Sequence, residues 1–206
     1  MPCWPPVAEM NYSRDELLAL GLASVGEEVR VHRSVIFFRP EAVRLGEAAR
    51  IDAQAVLSAG PEGIWVGHHT HLSAGVFLFG SGGAIRVGDF CALSARCTVF
   101  TANDDYKDGW MVNPTVGERF RKVQAAAVEF GDHVVVGAGT VVLPGVRMAR
   151  GSAAGALSLV KHPVGEGVLV AGAPAKPVGL RGDRYNGLEE EWKAERAADK
   201  GGKSTC

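Results

Sequence analysis

No apolar run in this sequence approaches the ~20 residues of a membrane-spanning helix, so no membrane span is expected. Neither sign of charge is in excess: 22 basic residues stand against 23 acidic ones, a formal charge of −1. Without a basic surplus to neutralise a phosphate backbone, nucleic-acid binding is not expected. The stretch Met1-Pro2-Cys3-Trp4-Pro5-Pro6 lacks the basic residue and following apolar core of a secretory signal. The four cysteines, Cys3, Cys91, Cys97 and Cys206, form no Cys-x-x-Cys metal pair. Both observations point to reduced thiols in the cytoplasm. No Gly-x-Ser-x-Gly elbow occurs, so the sequence offers no serine nucleophile of that kind.

Glycine is what the chain has in quantity. It supplies 27 of 206 residues, about 13 % against a usual ~7 %. No Gly-X-Y period accompanies it, which excludes collagen and leaves many tight turns as the reading. The length predicts one domain with short extensions. Apolar content of 47 % and charged content of 22 % exclude a wholly disordered chain.

The organising feature is a period of six. Phe130, Val136, Val142, Met148, Ala154 and Val160 are apolar at that step. The fifth positions of these hexads, Val134, Thr140, Val146, Ser152, Ser158 and Val164, are all small or β-branched. Earlier runs repeat the pattern: Val25 and Val31; Leu45, Ile51 and Leu57; Val66, Leu72 and Leu78; Val87, Leu93 and Val99. These runs begin 20, 21 and 21 residues apart, which is three hexads plus two or three corner residues. The longer step from Val87 to Phe130 carries an insertion of about 25 residues, roughly 101–126. Such a pattern fits no amphipathic helix, whose stripe repeats at 3.6. It fits a triangular solenoid, in which each hexad is a flat strand and a turn and three hexads make a coil. First positions point inward and their neighbours outward. Cys91 and Cys97 occupy fifth positions and are expected to be core filler.

Two flanks stand outside the repeat. Residues 13–22 read as a short helix with Ser13 as N-cap, Glu16 three residues on and Gly21 as its stop. It would close one end of the prism. Residues 187–200 read as a polar helix, and Lys200 to Cys206 as a loose tail. The expected division is a helical cap over 1–24, a β-helix over 25–170 and a C-terminal segment, helix and tail over 171–206.

Three segments carry a family resemblance: Val136-Gly137-Ala138-Gly139 with Leu143-Pro144-Gly145-Val146; Gly155-Ala156-Leu157-Ser158-Leu159-Val160; and Ala171-Gly172-Ala173-Pro174-Ala175-Lys176-Pro177. With the hexads in phase, the chain resembles the hexapeptide-repeat acyltransferases over about residues 12–182. The resemblance implies an all-β, left-handed parallel β-helix of about six coils. The handedness comes from the resemblance, because the usual crossover rule is right-handed. The insert, Asp104-Asp105-Tyr106-Lys107-Asp108-Gly109 and Val112-Asn113-Pro114-Thr115-Val116, is similar to the loop of sugar O- and N-acetyltransferases associated with polysaccharide and O-antigen synthesis. Tyr12 to Ile36 and Leu57-Ser58-Ala59-Gly60 also look like that branch. The resemblance therefore implies acetyl-CoA as donor, a sugar or nucleotide-sugar acceptor, and a cytoplasmic homotrimer with active sites between neighbouring prisms.

Acetyl transfer from a thioester needs a proton acceptor, a stabilised oxyanion and a groove that aligns CoA. The six histidines are His32, His68, His69, His71, His133 and His162. Better-known relatives carry a histidine on the loop after the middle coils, where this chain reads Thr101-Ala102-Asn103-Asp104-Asp105. His71 is the leading substitute as general base, since that branch has a histidine there. His133 ranks next, then His68 and His69. Asp104 and Asp105 are expected to place the acceptor, or else to begin a turn. Trp110 could stack on a sugar or pack on a neighbouring subunit. Matching positions imply CoA contacts from Ala138 and Ala156, with Lys161, Lys176 and Arg181 meeting its phosphates. No metal is expected. Two alternatives stand beside this reading: a zinc protein like the γ-class carbonic anhydrases, and a non-catalytic β-helix scaffold. The first is disfavoured because His68, His69 and His71 are turn neighbours that would have to converge.

Overall fold

The hexads become three flat sheets wound as a left-handed β-helix. The computed structural model describes residues 10–202, with side chains as far as residue 198. Cys3, Cys206 and most of the expected tail lie outside the described residues. In chain order, the first face holds Ser24–Val25, Val43–Leu45, Ile64–Val66, Ile85–Val87, Val128–Phe130 and Arg147–Met148. The second face holds Arg30–His32, Arg50–Ile51, His71–Leu72, Ala92–Leu93, Val135–Val136, Ala153–Ala154 and Val168–Ala171. The antiparallel strands Asn11–Tyr12 and Lys176–Leu180 flank it, making nine strands in all. The third face holds Ile36–Phe38, Val56–Ser58, Phe77–Phe79, Thr98–Phe100, Val141–Val142 and Leu159–Val160. The second face thus carries seven parallel strands, one more coil than expected.

Like residues lie over like. Ile51 pairs with Leu72, Leu72 with Leu93, Leu93 with Val136 and Val136 with Ala154. Every hexad first position named above is buried, as are the fifth positions, including Cys91 and Cys97. Burial pushes the Cys91 thiol up to about 12 and the Cys97 thiol to about 11, so both are inert filler.

The glycines follow from how closely the coils approach. A Cβ on Gly26 would stand 2.5 Å from the Glu47 amide nitrogen of the next coil. One on Gly82 would stand 2.8 Å from the Ala102 Cβ, where the insert leaves the prism.

Helix α1, Arg14–Ala19, has the expected capping box of Ser13 and Glu16, and Gly21 follows with φ +91°. It buries Leu17 against the end of the core. Helix α2, Tyr185–Gly202, begins two residues earlier than expected. It lies along the corner between the first and second faces. There His69, Phe90 and His133 stand one above another in left-handed conformation, their rings stacked 5.2 and 5.1 Å apart. Trp192 meets His69 and Phe90 edge-on.

Candidate active site

The corner between the second and third faces is a column of alanines. Ala53, Ala74, Ala95, Ala138 and Ala156 stand one per coil, and each of the first four accepts a backbone hydrogen bond from the corner above. The donors are Gly75, Arg96, Gly139 and Leu157, at 2.9–3.0 Å. Ala138 and Ala156 are exposed, with Gly137 and Gly155 beside them. The upper part of this edge is therefore a smooth track of backbone and methyl groups, open to a long thin ligand. Lys176 begins the strand that closes the second face and pairs with Ala171, just above the track. Lys161 is exposed at the far edge of the third face.

His71 projects from the second face two strands below Val135–Val136. Its Nε2 lies 2.7 Å from Asp52 Oδ2, and Arg50 Nε donates to Asp52 Oδ1 at 2.8 Å. Burial acts to raise the Asp52 carboxyl, but hydrogen bonds from His71 and Arg50 outweigh it and hold the group below its ordinary value. A neutral imidazole that donates through Nε2 keeps Nδ1 as a proton acceptor. The His71 side chain is 38 % exposed, so the ring can be reached. Ser94 immediately follows the strand directly above, Ala92–Leu93, at the alanine edge.

The insert is a hairpin of Ala102–Asp104 and Val123–Ala125, which leaves the opposite edge of the third face. Asp104 Oδ2 accepts the Asn113 N–H at 3.0 Å, and Arg121 Nη1 stands 3.7 Å from Oδ1. Asp104, Arg121, Glu118 and Asn103 line a cavity of about 600 Å³. The Arg121 Nε is buried there, with no hydrogen-bond partner among the described residues.

Asp105 sits within a turn of the hairpin. Its carboxylate accepts the N–H groups of Lys107 and Asp108 at 2.9 and 3.2 Å and pairs with Lys122 at 3.1 Å. These contacts, the Lys107 N–H first, hold it at about 2. It is a turn-forming acid, too weak a base to accept a proton near neutrality.

Other expected residues lie elsewhere. Arg181 donates to the His133 carbonyl, stands over the Tyr185 ring and anchors α2 at the opposite corner from Ala138 and Ala156. His133 is buried and bonded to Glu189 at 2.6 Å, at the corner covered by α2. His68 accepts the Glu47 N–H and His69 stacks on Phe90, so neither converges with His71. Among the described residues no group of His, Cys, Asp and Glu is arranged to hold a metal ion. Asp52 and Arg50, missed from the sequence, could have been found by stepping one coil back from His71.

No protein-family model matches the chain. A curated relative does: the dTDP-4-amino-4,6-dideoxy-D-glucose acyltransferase of Escherichia coli is 32 % identical over 184 residues, covering 89 % of this chain and 95 % of that protein. The chain belongs to the hexapeptide-repeat sugar acyltransferases. Among solved structures, the N-acyltransferase AntD of Bacillus cereus, in complex with dTDP and 3-hydroxybutyryl-CoA, superposes with a TM-score of 0.86 at 28 % identity. That match covers 91 % of this chain and 98 % of AntD. AntD has also been crystallised with substitutions at one serine and at one aspartate ten residues further on. A maltose O-acetyltransferase of Clostridium difficile, with a TM-score of 0.53 at 18 % identity over 82 % of this chain and 75 % of that one, shares the fold.

Proposed function

We propose that the protein transfers an acyl group from acyl-CoA to the amine of a sugar carried on a nucleoside diphosphate, as a homotrimer. The observation that carries this reading is the near full-length likeness to the E. coli dTDP-aminosugar acyltransferase. The dTDP and acyl-CoA complex of AntD supports the same acceptor and donor classes. CoA lies along the alanine track, its pantetheine against Ala138 and Ala156 and its phosphates toward Lys176, with Lys161 supplied by a neighbouring prism.

Ser94 and Asp104 have the separation of the serine and aspartate substituted in AntD. Within one chain the width of the third face lies between them. The hairpin therefore reaches over the next subunit, bringing Asp104 of one subunit to Ser94 and His71 of another. The third face supports such packing: Phe77, Phe79 and Phe100 stack along it, and Ile36 and Phe38 are 51 % and 56 % exposed.

In the reaction the amine nitrogen attacks the thioester carbonyl. The C–N bond forms, the C–S bond breaks, and the thiolate leaves to be protonated as CoA. Asp104 takes the proton released by the amine, the part first given to His71. His71, held by Asp52, flanks the acceptor. The reading places the enzyme in the cytoplasm, supplying modified sugars for surface polysaccharide.

The test is incubation of the purified protein with acetyl-CoA and dTDP-4-amino-4,6-dideoxyglucose. Free thiol and N-acetylated nucleotide sugar should appear in equal amounts, from a species of trimeric mass. Binding of CoA without acyl transfer to any amino-sugar nucleotide would overturn the proposal.

A further inference from the structure

We infer that Arg30 and Arg50 form the subsite for the acceptor's diphosphate; the inference rests on the nucleotide-linked acceptor proposed above. The two residues are direct partners in adjacent strands of the second face, and Arg50 is in turn the partner of His71. Adjacent strands lie ~4.8 Å apart, and like charges placed side by side on a sheet destabilise it. One carboxylate, Asp52, stands beside this column, and it is already shared by Arg50 and His71. Among the described residues no acid lies within ion-pairing distance of Arg30. A cationic ladder with so little internal compensation fits an anion with two adjacent charged groups. Guanidinium forks match phosphate oxygens in geometry as well as charge.

The ladder also has a cavity. Arg30, Arg50, His32, Met10 and Asn11 help line a space of about 320 Å³, at the lower end of the ~300–1,000 Å³ of small-molecule sites. Its position along the prism matches the substrate. CoA descends the alanine track toward Ser94. One strand below is His71, the next carries Arg50 and the next Arg30. From the level of Ser94 to the arginines is thus two to three strand spacings, roughly 10–14 Å. A nucleotide-linked amino sugar with its nitrogen near Ser94 lays its ring beside His71 and delivers its diphosphate to Arg50 and Arg30. The nucleoside then falls toward Met10 and Asn11.

The experiment is calorimetric titration of dTDP and, separately, of CoA into the full chain, its Arg30→Gln variant and the Arg30→Gln/Arg50→Gln pair. Light scattering is recorded for each. Each lost charge-assisted contact should weaken dTDP binding about tenfold to a hundredfold, with CoA affinity and trimeric mass unchanged. Arg30→Gln alone is decisive if the double variant fails to fold, since Arg30 is exposed and its loss breaks no ion pair in the described structure. Equal dTDP affinity in wild type and Arg30→Gln would overturn the subsite alone. A fall in trimeric mass would overturn it by making the arginines interface residues. No dTDP binding by the wild type, with CoA still bound, would overturn the nucleotide-linked acceptor and the subsite together.

Discussion

Replacing Asp104 with asparagine separates chemistry from structure at the hairpin. The variant keeps the size of the side chain and an oxygen that can accept the Asn113 N–H, now made at 3.0 Å. What it loses locally is attraction to Arg121, whose Nη1 stands 3.7 Å away while the Asp104 side chain is 30 % exposed. A pair of that exposure contributes ~0–1 kcal/mol, so the melting temperature should move by no more than a few degrees. The chemical loss is larger. A positioned proton acceptor is typically worth ~10²–10⁴-fold in rate, which is about 3–5 kcal/mol of barrier at ~1.36 kcal/mol per tenfold. An amine attacks more readily than a hydroxyl, so the lower part of that range is expected here. The assay is release of free thiol from acetyl-CoA at saturating acceptor. The expected result is kcat lower by about a hundredfold with the KM for acetyl-CoA nearly unchanged. If the folded variant keeps kcat within about threefold, well inside the range of mere positional effects, Asp104 is not the acceptor. His71, examined as His71→Asn, would then inherit the role.

Two further outcomes are expected. Ala156→Trp should fill the alanine track and abolish CoA binding by calorimetry, while the circular dichroism spectrum stays that of the parent, because residue 156 faces outward at an exposed corner. Unchanged CoA affinity would mean that the track is not the CoA groove. Glu189 is held at about 2, against an ordinary 4.5, by Lys193, His133 and Arg150. A carboxyl lowered on folding contributes stability that is present above its ordinary value and lost as pH falls toward the folded one. Helix α2 should therefore lose hydrogen-exchange protection between about pH 5 and 2. Glu189→Gln should weaken α2 at neutral pH and flatten that acid limb; an unaltered limb would refute the assignment.

The prism was legible because its constraint is periodic. Only a small or apolar residue can occupy an inward position of a coil two or three residues wide, so Leu57, Leu72 and Cys97 announce their places by spacing alone. The capping box of Ser13 and Glu16 was legible for a local reason, both partners lying within one turn. Contacts between coils were harder to see. His71 and Asp52 lie 19 residues apart, and their pairing depends on which outward residues stand one coil below. The stack of His69, Phe90 and His133 repeats the steps between Val66, Val87 and Phe130, so the register contained it. What gave it meaning was α2, whose docking corner no hexad specifies. Asp104 and Asp105 could not be told apart beforehand because adjacent acids look alike in sequence. The hairpin turns one carboxylate back onto its own N–H groups and leaves the other at the cavity.

Helix α2 alters how the solenoid comes apart. A stack of coils is a nearest-neighbour system, in which each repeat is stabilised only by the one above and the one below. Such a stack can fray from an end without disturbing its middle. Here Arg196 bridges Glu28 and Glu47 in the first two coils, across 168 and 149 residues of sequence. The same helix holds His133 and Arg150, in the fifth and sixth coils, through Glu189. The chain of neighbours is thereby closed by a strut running its length, and loss of either end costs contacts at the other. Because the strut is encoded after the last coil, it can dock only when the whole column has been laid down. Its docking marks a completed prism, and unfolding should approach an all-or-none event.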